Sequence, residues 1–163
     1  MRKSIIFLLA VGIISSVSFV GVRNAEASTI TNNSVIRYVN EYRHKENLQS
    51  LKISPALTLA AQMKADDMAR RNYFSHADPD GNKAWLLIQK QRYSYWIAGE
   101  NLAMDYTSTS KVAKAWMGSP GHRANILNSQ FTETGIGIAK VKINNWERIY
   151  VVQLFALPYL ETK

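Results

Sequence analysis

The stretch "TGIGIAKVKINNWERIYVVQLFALP", residues 134–158, decides the fold class. Its first ten residues alternate, the period of two that sets one face of a strand on a core. Asn144-Asn145 interrupts the alternation, and the residues that follow are rich in β-branched and aromatic side chains. Together they predict an antiparallel hairpin turning near Asn144-Asn145. Gly135 and Gly137 lack the third glycine and the following helix of a nucleotide fingerprint, so they read as strand glycines.

Upstream of the hairpin the period becomes helical. Ser34 or Asn33 is expected to cap a helix over residues 35–47, with Val35, Ile36, Val39 and Tyr42 on one face. "LQSLKI" reads as short and extended. Ser54-Pro55 is a strong helix start, and the helix should run to about Asn72. Leu57, Ala61, Ala65 and Met68 form its inner stripe, with Lys64 and Arg71 off it. Pro79 and Gly81 make "YFSHADPDGN" a loop. A third helix is expected over 83–92 and a fourth, capped by "TSTS", over 111–118; Pro120 ends the latter and starts a short helical turn. "YWIAGENLA", residues 95–103, supplies a third strand. Helices first and a sheet afterwards imply an α+β, layered fold.

Composition narrows the class. A chain of 163 residues holds one domain plus a leader or tail. Hydrophobic residues at 47% and charged residues at 20% exclude a disordered chain. The formal net charge is +8, without a run of five basic residues or a nucleic-acid motif. That balance favours anionic wall polymer or lipid over nucleic acid as a partner. There is no cysteine, so the fold rests on its core, and neither a thiolate zinc site nor a thiol nucleophile is available.

The N-terminal residues predict the location. Arg2 and Lys3 precede an apolar stretch from Ile5 to Val22, and Ala25-x-Ala27 matches a signal-peptidase site. Residues 1–27 are therefore expected to be a signal peptide, 28–33 a short lead-in and 34–160 the domain. An uncleaved anchor is the alternative, since the stretch nears the ~18 residues of a membrane span; Gly12 and the serines within it favour cleavage. No span would remain, and the protein would work outside the cell.

Three polar residues stand in unusual surroundings. His122 lies in the Pro-Gly turn of "WMGSPGHRANILNSQF", with Ser119, Arg123 and Asn125 around it. His76 opens a loop after Tyr73-Phe74. Glu100 is flanked by apolar residues, so it is either exposed or a buried charge that needs a partner. A histidine can be that partner. A cluster of these three side chains would serve proton transfer, a divalent metal or a structural network. No HExxH, GxSxG or P-loop is present, and Ser119 is the one alternative nucleophile. His44, in "RHKEN", reads as solvated.

The stretches "YFSH", "GENLA", "AWMGSPGHRANIL" and "ETGIGIA", in this order before a β-hairpin, resemble the CAP superfamily of cysteine-rich secretory, venom-allergen and pathogenesis-related proteins. The resemblance spans residues 34–157, and the short cysteine-free form resembles the bacterial branch, its leader fitting a Gram-positive secreted protein. It implies an α-β-α sandwich around a small antiparallel sheet. It also implies a cavity lined by two histidines, His76 and His122, and two acids, of which Glu100 is the first. The second acid's place holds Ser119; Glu133 is the nearby acid that would substitute. Asn101 and Asn125 fall in the same motifs and join the expected cavity residues.

The family has no single reaction, so two readings stay open. In one, the domain binds a small ligand: a lipid, a wall fragment, or a divalent metal such as zinc held by His76 and His122. In the other, it is a metal-assisted hydrolase of peptide or cell-wall substrate, with Glu100 as general base and the histidines as proton donors or ligands.

Overall fold

A computed structural model describes residues 29–159. The expected signal peptide over 1–27 lies outside the described residues. Within them the order is α1 (Asn32–Lys45), β1 (Lys52–Ile53), α2 (Pro55–Arg71), α3 (Ala84–Lys90), β2 (Tyr95–Met104), α4 (Thr109–Gly118), α5 (Pro120–Ile126), β3 (Glu133–Ile143) and β4 (Trp146–Pro158).

The β3–β4 hairpin forms as its pattern predicts. The pairing is antiparallel from Glu133↔Ala156 to Ile143↔Trp146, and the turn falls at Asn144-Asn145, with Asn144 at φ 54°. Asparagine tolerates that left-handed backbone better than most residues. The strand order is β1-β3-β4-β2. β2 runs antiparallel to β4, but β1 pairs parallel with β3 through Lys52↔Glu133 and Ile53↔Thr134. The sheet is therefore mixed rather than purely antiparallel: "LQSLKI" crosses over from α1 instead of returning through a hairpin.

β4 is apolar on both faces because both are covered. Ile149, Val151 and Phe155 pack with α1, α4 and α5; Tyr150, Val152, Leu154 and Ala156 pack with α2 and α3. This is the α-β-α sandwich. A strand buried on both sides loses the polar alternation of a half-exposed one. The two strand glycines serve close packing. A Cβ on Gly135 would lie 2.2 Å from backbone atoms of Leu57 and Thr58, and one on Gly137 2.2 Å from the Ala61 carbonyl carbon. α2 rests directly on the β3 backbone, which fixes the height of the loop that follows α2.

The helices differ in detail from the sequence reading: α3 is shorter than 83–92, and α4 starts at Thr109, within the expected cap. α1 starts earlier, capped by Thr31 rather than by Asn33 or Ser34. Thr31 Oγ1 accepts the Ser34 amide at 3.2 Å, and Ser34 Oγ accepts the Thr31 amide at 3.1 Å. With four cap-forming residues in succession, this reciprocal bond decides the start. Lys64 is not off the inner face of α2: it is 2% exposed. Its ammonium donates to the His76 carbonyl at 3.1 Å and to the Tyr73 hydroxyl at 3.3 Å. Burial lowers its pKa, against the charges of Glu100, Asp78 and Asp67.

Arg43 is likewise buried. Its guanidinium donates to the carbonyls of Gln49, Ile126, Asn128 and Phe131 at 2.8–3.1 Å. One cation at the end of α1 thereby holds the turn that closes α5. His44 beside it is exposed and bonds Ser50 Oγ at 2.7 Å through Nε2.

Candidate functional site

A cleft of about 500 Å³ opens where the two helical layers meet the free edge of β2. His76, Lys83, Ala84 and Trp85 line one side. Ser119, Gly121, His122 and Asn125 line the other, and Ala98, Gly99 and Glu100 form the floor. The sheet thus brings together residues that the chain keeps apart. His76 arrives from the loop after α2, Glu100 from β2 and His122 from the first turn of α5.

Glu100 is the buried member, its side chain 5% exposed. It pairs with Leu154 on β4, a residue of the α2 side, so its carboxylate points toward the layer that carries His76. His76 Nδ1 lies 2.5 Å from Glu100 Oε1. Oε2 has no hydrogen-bond partner among the described residues. Burial raises the Glu100 pKa, while the His76 hydrogen bond and the Lys64 charge pull it back down. Burial also lowers the pKa of His122, and the neighbouring His76 adds to the effect. The arrangement thus combines a carboxylic acid that keeps its proton more readily than usual with an imidazole that stays neutral more readily than usual.

The two asparagines hold the walls in place. Asn101 Nδ2 donates to the His122 carbonyl at 3.1 Å. Asn125 Nδ2 donates to the Glu100 carbonyl at 3.1 Å and to Asn101 Oδ1 at 2.9 Å. Asn101 is fully buried on the opposite face of β2 from Glu100, so its role is to fix α5 rather than to meet a ligand. On the other wall, Asp78 folds the His76 loop. Its Oδ1 accepts the amides of Asp80 and Asn82 at 2.9 and 2.8 Å. Lys64 ties that loop to α2, and sequence periodicity gave no sign of it.

Glu133 does not take the second acid's place. It accepts a hydrogen bond from the Tyr93 hydroxyl at 2.7 Å and does not line the cleft. As the first residue of β3 it is separated from β2 by the whole width of β4. Ser119 lines the cleft at the junction of α4 and α5, and among the described residues no hydrogen bond joins its hydroxyl to either histidine. Nor do three His, Cys, Asp or Glu side chains among the described residues stand in position to hold a metal ion. Two imidazoles and a carboxylate already half committed to one of them fall short of a zinc shell. The residues present do not fit a resident metal.

A second cleft, of about 620 Å³, lies between α2 and α3 and includes Asp67, Arg71, Asp78 and Asp80. Its carboxylates are already engaged: Arg71 donates to Asp80 at 2.8 Å, Asp67 pairs with Arg70, and Tyr73 donates to Asp67 at 2.7 Å. The β2 cleft, with its orphaned carboxylate oxygen, is the better candidate although it is smaller.

Comparison with known proteins agrees with this fold. The Cysteine-rich secretory protein family (CAP) matches residues 36–155. The chain is 40% identical over 103 residues to the Bacillus subtilis (strain 168) protein YkwD, covering 63% of this chain and 40% of that protein. It is 28% identical over 110 residues to the membrane protein YlbC of the same organism, covering 68% of this chain and 32% of YlbC. It therefore spans well under half the length of these curated relatives. Among solved structures, an extracellular SCP-domain protein from Bacillus anthracis str. Ames aligns with a TM-score of 0.68 at 28% identity, over 77% of this chain and 39% of that one. An outer surface protein from Borrelia burgdorferi has the same fold, with a TM-score of 0.68 at 24% identity over 78% and 92% of the two chains. Among the described residues no helix is long and apolar enough to cross a membrane. With the four motifs, the sandwich and the family match in register, the chain belongs to the cysteine-rich secretory protein (CAP) family, although it contains no cysteine.

Proposed function

We propose that this domain is an extracellular binding module whose cleft between His76 and His122 takes a small polar ligand, with wall fragments the first class to try. The observation that carries the reading is Glu100 Oε2. A carboxylate oxygen buried beneath the floor of an open cleft without a partner costs stability, and a ligand N–H or O–H that displaces the exposed His76 side chain would satisfy it. Apolar surface from Ala84 and Trp85 on one wall and from Ala98 in the floor would cover the rest of such a ligand. The positive charge of the chain favours anionic wall polymer nearby. Extracellular and surface relatives support a location outside the cell.

The test follows the imidazole resonances of His76 and His122 while purified protein is titrated with a disaccharide-peptide wall fragment, palmitate and a lysophospholipid. Displacement of both rings by the wall fragment, weakened in Glu100→Gln, is the expected result. No displacement by any of the three would remove the reading.

A hydrolase is the second reading, favoured by the 2.5 Å contact between His76 and Glu100. The pair would take a proton from water as its oxygen adds to a carbonyl carbon, then return it to the leaving amine or alcohol. Turnover of peptide, ester or wall substrate that Glu100→Gln abolishes would establish it; turnover indifferent to that change would exclude this mechanism.

A further inference from the structure

An edge strand exposes a row of backbone N–H and C=O groups, and proteins normally blunt or cover it. β2 is such an edge, and most of it is covered. At its outer end the register shifts between Tyr95 and Ile97, and Trp96 bulges out of the ladder. At its inner end two side chains take the edge carbonyls. Asn125 Nδ2 donates to the Glu100 carbonyl at 3.1 Å, and Trp116 Nε1 donates to the Leu102 carbonyl at 2.9 Å.

These bonds show which way the backbone faces. The carbonyls of Glu100 and Leu102 point away from β4, so by the two-residue period the N–H and C=O of Ala98 and the N–H of Glu100 do too. β4 agrees. Ala156, opposite Ala98, gives its carbonyl to the Thr132 amide at 3.1 Å, on the β3 side. Leu154, opposite Glu100, gives its carbonyl to Thr134 Oγ1 at 2.8 Å, on the same side. The Ala98 N–H and C=O and the Glu100 N–H, which no other described residue takes on this side, belong to residues that line the floor of the cleft.

We infer that the cleft recognises the main chain of an extended peptide, which pairs with Ala98 and Glu100 as an added strand. This inference rests on the binding reading above and names its ligand class. One peptide residue would exchange N–H and C=O bonds with Ala98, and the next acceptor carbonyl would meet the Glu100 amide. Side chains of the added strand alternate toward the two helical layers, one set toward His76 and Trp85 and the other toward His122. A protein segment presents this alternation; the stem peptide of a cell wall shares the amide N–H and C=O groups, but its alternating chirality sets the side chains of an extended strand on one face.

The experiment titrates ¹⁵N-labelled protein with two probes, each with a counterpart N-methylated at its internal amides. One probe is an equimolar library of acetylated, amidated all-L pentapeptides. The other is a wall tetrapeptide of alternating chirality. The expected result is displacement of the Ala98 and Glu100 amide resonances together with those of both imidazoles, and binding about tenfold weaker after N-methylation, as the loss of one or two backbone hydrogen bonds requires. Either probe supports the inference by showing this dependence, and the one that does so identifies the source. Imidazoles that move equally with parent and N-methylated probes would overturn the strand pairing while leaving the cleft a binding site. Ala98 and Glu100 amides that neither parent probe moves would also overturn it, whatever the wall-fragment and lipid titrations show.

Discussion

His76 Nδ1 and Glu100 Oε1 are 2.5 Å apart although one residue is mostly exposed and the other almost fully buried: the side chains are 61% and 5% accessible. The pair links solvent to the interior. Its buried half lies where the carboxylate costs stability when ionised, and its exposed half lies where a ligand arrives. Glu100 should therefore behave as a residue retained for a use rather than for the fold.

That behaviour can be measured through pH. The folded-state pKa of Glu100 is raised, mainly by burial. For a carboxyl the sign is clear: the folded state holds the proton more tightly than the unfolded one, so stability is lost as pH rises from the unfolded pKa through the folded one. Glu100→Gln should raise the thermal midpoint relative to wild type at pH 7–8. The gain should fade below the ordinary carboxylate range. A variant that is less stable than wild type at neutral pH would show that the His76 contact outweighs burial.

His122 acts on the acid side. Its pKa is lowered by burial and by His76, so the unfolded state takes up the proton first. Stability then falls as pH drops below the unfolded histidine value of about 6.5 and levels off below the folded one. His122→Gln should flatten this limb between pH 7 and 5 in chemical denaturation, with little change above pH 7.5. An identical limb in the variant would place the titration elsewhere.

Lys64 tests how the His76 wall is held. Lys64→Met keeps the length and apolar stem of the side chain but leaves the His76 carbonyl and the Tyr73 hydroxyl without their donor. The expected cost is about 1–3 kcal/mol. Faster amide exchange should be confined to the loop from Tyr73 to Asn82. Unchanged stability would mean that water replaces the ammonium without loss.

Gly137→Ala tests the seat of α2. Its Cβ would meet the backbone of Ala61, which cannot swing aside as a flexible side chain can. A loss of about 3 kcal/mol or more is expected in denaturant unfolding. A loss below about 1 kcal/mol would show that the helix can rise off the sheet.

Zinc tests the incomplete donor set. Calorimetric titration of wild type and of the His76→Ala, His122→Ala double variant should give the same isotherm, because among the described residues no three His, Cys, Asp or Glu side chains are placed to hold a metal ion together, and Glu100 is already bonded to His76. Tight binding in wild type alone would show that the loops rearrange to supply one.

The parts legible in the sequence rest on local rules. Alternation over 134–143 and the Asn144-Asn145 turn specify the hairpin, because strand period and turn backbone are properties of neighbouring residues. Ser54-Pro55 marks the start of α2 for the same reason. His76, Glu100 and His122 stand out because each polar group sits in a context its neighbours do not explain. The parts decided by tertiary structure depend on partners far along the chain. Arg43 and Lys64 look like solvated helix charges until carbonyls from residues 126–131 and from His76 close over them. Glu133 reads as a substitute acid by its motif, yet the order β1-β3-β4-β2 sets β4 between it and the cleft. The free edge at Ala98 exists only because β2 pairs with β4 on one side and, among the described residues, with no strand on the other. Strand order and the burial of a charge are set by long-range pairing, and no window of local sequence contains both partners.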